Sequence, residues 1–214
     1  MSNKRGPSMK KAKEDRRVQR TRHLLRQALF TLIIERGYEV ITVEEITERA
    51  NVGRATFYVH YKDKEDLLLC SLEEMFHETA ATLGPISEET FQAGGKPPAQ
   101  LAFEHMAQHH QLYRVLFNER GAAIISLRIL ELLVSISRRY TVGQLDEARS
   151  PLPLKLLAHH LAGSLFALLI WWLNEDMPYS PEDMAKIFQH LAVPGVAHVV
   201  GLKPTLPDLP RSER

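Results

Sequence analysis

A single cysteine among 214 residues, Cys70, rules out an internal disulfide, and its setting among leucines on a helix marks it as a buried thiol rather than a redox site. The chain has no Gly-rich phosphate loop, no nucleophile elbow and no His-Glu metal motif, so no catalytic residue, metal or cofactor is expected. Long apolar runs are also missing. The longest, Leu161 to Leu173, is about 13 residues against the ~20 needed to cross a bilayer, so no membrane role is expected. The N-terminus is charged and lacks an apolar stretch, so no signal peptide is expected and the expected location is the cytoplasm. Strand-type alternation never persists, so the predicted fold is all-α. Net charge is nearly absent too, with 27 basic and 26 acidic residues.

That balance hides an asymmetry. Residues 1–26 hold ten Lys or Arg against Glu14 and Asp15, a net of +8, while the rest carries seventeen basic and twenty-four acidic residues, a net of −7. A basic end on an acidic body suits a protein that docks one end onto nucleic acid. Residues 1–14 read as a flexible arm able to enter a minor groove as it orders.

Residues 42–68 carry the densest information. Thr42 and Glu45 form a capping box, and Val43, Ile46 and Ala50 give a short helix one apolar side. Asn51-Val52-Gly53 ends it in a tight turn where Asn and Gly tolerate left-handed backbone. A second short helix runs from Arg54 to about Tyr61, with Phe57 and Tyr61 inward and Arg54, Thr56, Tyr58 and His60 outward. Guanidinium, hydroxyl and imidazole groups suit phosphate oxygens and base edges. Asp63 then caps a third helix, with Asp66 in its first turn. Ahead of these, Leu25, Ala28, Leu29, Leu32 and Ile33 share one face of a helix from about Asp15 to Arg36, which stops at Gly37. The set reads as a helix-turn-helix head.

The run T-F-Y-V-H-Y-K-D-K-E-D-L-L at Thr56 to Leu68 resembles the DNA-binding domain of the TetR/AcrR family of bacterial transcriptional regulators, over roughly Arg16 to Phe76. The resemblance implies a homodimer whose two heads read a pseudo-palindromic operator, with a C-terminal domain that dimerises and binds an effector. It puts Arg54, Ala55 and Thr56 near bases, Tyr58, His60 and Lys64 at phosphates with Lys62 beside them, and Thr42 as a cap close to the DNA backbone. Gly53 departs from the pattern by offering no side chain, and Glu44 by placing a carboxylate near DNA, from which it can turn to Arg49 or to solvent. The reading is a ligand-released repressor, found on the nucleoid when bound to its operator. The alternatives are a ligand-independent regulator and a protein-interaction module using the helical head. Repression is favoured because a dimer lying over a promoter blocks polymerase.

Beyond the head (15–62), a connecting helix is expected over 63–83, then an effector and dimerisation domain over 84–200 and a disordered tail over 201–214. A short helix can interrupt the loop at 86–98. Further helices are predicted at 99–117, 122–140, 153–173 and 181–191, with Pro153 and Pro181 in first turns. The stretch around Trp171-Trp172 is apolar nearly all round, so an intermolecular four-helix bundle is expected to cover it through Leu161, Leu165, Leu168, Trp172, Met184 and Phe188. An effector pocket is expected from Met75, Phe76, Phe103, Met106, Tyr113, Phe117 and Phe166, because aromatic and Met side chains on neighbouring helices line adaptable cavities. His105 and His109 share a helix face but lack the partners of a metal site.

Overall fold

The structure is a computed structural model, which describes residues 9–80, 97–118, 122–140, 142, 145–147, 150–201 and 206–209, with side chains from Arg16 onward. The arm's first eight residues, the expected loop helix and most of the tail lie outside the described residues. Those described form nine helices and no strand: α1 (Met9–Arg36), α2 (Val43–Ala50), α3 (Arg54–His60), α4 (Lys64–Ala80), α5 (Pro98–Gln108), α6 (His110–Asn118), α7 (Ala122–Tyr140), α8 (Leu154–Asn174) and α9 (Pro181–Val199). The fold is all-α. It divides into two compact units, Met1–Leu72 and Glu73–Arg214, so the division falls inside α4.

In the first unit, Leu25, Leu29 and Ile33 of α1 are fully buried with Ile46 of α2 and Phe57 of α3. Gly37 ends α1 with φ 83°, a left-handed conformation that a side chain would strain. The capping box at Thr42 is present, and Asn51 closes α2 with φ 51°. Gly53 lacks the left-handed backbone expected of the turn but takes the expected cap position. Its φ of −63° is ordinary, and it serves as the cap of α3 without a side-chain bond.

In the second unit, α7 packs on α8, α9 packs on α5 and α8, and α6 packs on α7. Trp172 is 1% exposed, its ring edge-on to Phe103 at 5.3 Å, and its Nε1 donates to the Tyr179 carbonyl at 2.9 Å. That bond closes the α8–α9 turn, where Asp176 and Met177 both have positive φ. At 21 residues α8 is long and apolar enough to span a bilayer. Here its Leu157, Leu161, Leu169 and Leu173 are buried and it packs on α7 and α9, which explains why it is apolar on several sides.

Four helix boundaries differ from the sequence reading. Helix α1 begins at Met9, not near Asp15, so residues 9–14 of the expected flexible arm are helical. The helix expected at 99–117 is broken at His109, where the imidazole of His110 lies 2.9 Å from the Ala107 carbonyl and competes for the turn. Helix α9 continues eight residues past Leu191 despite Pro194, because Ala192, Val196 and Ala197 are buried and their burial outweighs the lost hydrogen bond. Pro153 caps α8 instead of sitting in its first turn. Cys70 is half-buried rather than buried, and its Sγ lies 3.7 Å from Asp66 Oδ1.

Candidate nucleic-acid interface and body cavity

Helix α3 is only seven residues long, so it persists through packing and not through its own propensity. Phe57 (0% exposed) and Tyr61 (3%) supply that packing and thereby fix which side faces out. Arg54, Ala55, Thr56, Tyr58 and Val59 are exposed and His60 is half-buried. The Arg54 guanidinium lies over the Tyr58 ring at 6.0 Å, one helical turn away. Val59, at 79%, is the most exposed large apolar side chain among the described residues. The sequence reading missed it, although two residues from each of Phe57 and Tyr61 a helix must turn it outward. Lys62 is exposed, and its backbone N–H donates to Asp66 Oδ2 at 3.0 Å, while Asp63 Oδ1 accepts from the Asp66 N–H at 2.8 Å.

Two expected contact residues are engaged within the head. Thr42 Oγ1 accepts from the Glu45 N–H and lies 3.0 Å from Glu45 Oε2. The Arg36 guanidinium, with Thr42, holds the Glu45 carboxyl well below its usual range, at about 2. Lys64 is the larger departure. Its ammonium donates to the carbonyls of Tyr38, Glu39 and Ile41 at 3.0, 2.9 and 2.9 Å and stands 4.6 Å from the centre of the Tyr38 ring. All three ammonium hydrogens are therefore used inside the head, pinning the loop before α2, in contrast with the expected phosphate contact. Glu44 does not reach Arg49, because Arg49 forks onto both carboxylate oxygens of Glu35.

The second unit contains a cavity of about 110 Å³, walled by the end of α4 and by α5, α7, α8 and α9. Of the seven residues expected to line a pocket, Phe76 alone does so. Met75, Phe103, Met106 and Tyr113 are buried elsewhere, and Phe117 bridges Tyr113 and Phe166 in a ring chain with centroid spacings of 5.8 and 6.2 Å. Aromatic content signals burial but not which burial leaves a void. Conversely, Leu161, Leu165 and Phe188, expected at a dimer interface, line the cavity. Trp172 and Met184 are buried within the chain, which removes them from an interface as well, and Leu168 is half-buried. Helix periodicity finds an apolar stripe without saying which neighbour covers it.

His105 sits in the cavity wall with hydrogen-bond partners at both ring nitrogens. Thr79 Oγ1 donates to the Met75 carbonyl at 3.0 Å, so it accepts from His105 Nδ1–H at 3.0 Å. His105 Nε2 is then bare and accepts from the Tyr113 hydroxyl at 2.8 Å. Burial first, and His109 second, hold the His105 imidazole down at about 4, and burial pushes the Tyr113 phenol up. Both groups stay neutral. With both nitrogens engaged, His105 has no lone pair for a metal, and no cluster of three metal-ligating side chains exists among the described residues.

Residues 25–69 match the family model described as bacterial regulatory proteins of the tetR family, and residues 97–193 match that of a transcriptional regulator C-terminal region. The chain is 31% identical over 189 residues to the uncharacterised HTH-type transcriptional regulator YxbF of Bacillus subtilis, an alignment covering 86% of this chain and 47% of that one. The chain thus spans about half the length of that relative. It is 25% identical over 178 residues to the fatty acid metabolism regulator protein of the same organism, covering 79% of this chain and 92% of that one. A putative TetR-family regulator from Syntrophomonas wolfei shares the fold with a TM-score of 0.58 at 20% identity, over 86% of this chain and 97% of that structure. With a helix-turn-helix head matched to one model and a helical body matched to the other, the chain belongs to the TetR family of transcriptional regulators.

Proposed function

We propose that the protein acts in the cytoplasm as a homodimeric repressor whose two heads bind a pseudo-palindromic operator and are released by a small molecule in the body cavity. The exposed face of α3 carries this reading: Arg54 can fork onto a guanine with Thr56 beside it at the base edges, Val59 can pack on a thymine methyl, and Tyr58 and Lys62 can contact phosphates. Selection from random duplex DNA with the purified protein tests it. The expected outcome is an enriched palindrome, an affinity that falls steeply with salt, and a loss of binding in Tyr58→Ala. Binding indifferent to salt and to Tyr58 would favour the protein-interaction alternative.

Dimerisation is supported by a face other than the one expected from sequence. Leu156, His160, Gly163, Ala167 and Trp171 follow at three- and four-residue spacing along α8, with Leu156 and Trp171 53% and 44% exposed. On α9, Leu191 is 70% exposed. A Cβ added at Gly163 or Gly195 would meet no atom within 4 Å, so a second copy could approach closely there. Sedimentation of Leu191→Arg should show monomers where the parent sediments as a dimer.

A further inference from the structure

The cavity also specifies what kind of molecule fits it, an inference that rests on the release reading above. Among the described residues no Lys, Arg, Asp or Glu lines the wall; its polar members are Thr79, His105, Ser137 and Gln189. Thr79 and His105 are already bonded to each other, Thr79 to the Met75 carbonyl and His105 to Tyr113. Ser137 is different. It is 8% exposed, and its buried Oγ has no hydrogen-bond partner. A buried hydroxyl left unmatched has lost its hydrogen bonds to water without replacement, so a group that pairs with it gains more than the same bond would in water. Gln189, 9% exposed on α9, adds a carboxamide to the same cavity. Burying an ionised ligand here would require a countercharge that the described wall residues do not supply, and His105, held neutral, cannot become one near pH 7.

We infer that the cavity binds a compact, uncharged, mainly apolar molecule with one hydroxyl or carbonyl group, which pairs with Ser137 and Gln189 while the rest packs on Phe76, Leu133, Leu161 and Phe188. At about 110 Å³ the cavity is smaller than an engineered apolar cavity of ~150 Å³ that holds benzene, so one ring is the upper bound on the ligand's size.

Calorimetric titration of the full chain with benzyl alcohol, toluene and benzoate separates the contributions, because the three share a ring and differ in the polar group. Benzyl alcohol should bind about tenfold more tightly than toluene, the yield of one hydrogen bond that satisfies a buried partner, and benzoate more than tenfold more weakly than benzyl alcohol. Ser137→Ala should remove the preference for the alcohol while leaving toluene binding intact, and Gln189→Leu should reduce it. Because Ser137 bonds to nothing in the fold, the alanine variant should fold as the parent does. Benzoate binding as tightly as the alcohol, a preference unchanged in both variants, or no binding of any probe at millimolar concentration would overturn the inference. An operator-release assay with the same alcohol distinguishes the two readings: the expected binding order without release upholds the ligand class and sinks the release mechanism.

Discussion

The head and the body are both built from helices, but different forces hold them. Helices α2 and α3 are eight and seven residues long, too short to persist alone; the head fastens α2 and the loop before it with polar devices, namely the Thr42–Glu45 box, the Arg36–Glu45 and Arg49–Glu35 pairs, and Lys64 on three carbonyls, and holds α3 by burying Phe57 and Tyr61. Body helices α7, α8 and α9 run 19 to 21 residues and are fixed mainly by apolar burial, with one internal polar chain from Thr79 through His105 to Tyr113.

This contrast predicts where each unit yields. The largest effect is expected from Trp172→Ala, which empties the centre of the body and should cost it about 3–5 kcal/mol. Denaturant unfolding should show the body transition shifted and the head transition unchanged. Equal shifts in both would mean that the units unfold as one and the contrast fails.

Acid should separate the units next. The His105 pKa is lowered in the fold, so its contribution is complete above the ordinary histidine value of 6.5 and is lost as pH falls toward about 4. Each tenfold change in proton affinity is worth ~1.4 kcal/mol, so the body should lose about 3 kcal/mol across that window. His105→Gln should flatten the slope. Glu45, lowered from 4.5 to about 2, makes the head acid-sensitive only below that window. A head that melts between pH 6.5 and 5 would contradict the assignment.

A smaller effect distinguishes structural from DNA-facing lysines. Lys64→Met should lower head stability by about 2 kcal/mol, because charged hydrogen bonds to three carbonyls are lost, and leave the salt slope of DNA binding unchanged. Lys62→Ala should do the reverse, making the slope shallower by about one with little change in stability. Smallest of all, Thr42→Ala removes one cap and should cost the head about 1 kcal/mol in the same denaturation experiment.

The head was largely legible in the chain because its determinants are local. Thr42 with Glu45, Asn51, Gly37, and the inward pair Phe57 and Tyr61 act within a few residues of themselves, and each stands where its spacing implied. Lys64 escaped such reading because its partners, the carbonyls at 38, 39 and 41, lie 23 to 26 residues upstream. In the body, periodicity marked the helices but could not choose between their faces. Leu161, Leu165 and Phe188 form stripes that would serve a second copy, a core or a cavity equally well.

By itself, then, the sequence determined the all-α class, the helix-turn-helix and the outward set on α3, since capping and helical periodicity are encoded by neighbours in the chain. Tertiary structure alone decided that Trp172 is internal, that Leu191 and Trp171 are exposed, and that a neutral cavity forms around Ser137 and Gln189. A void is what remains after distant side chains have packed, and no local pattern records what fails to fill a space.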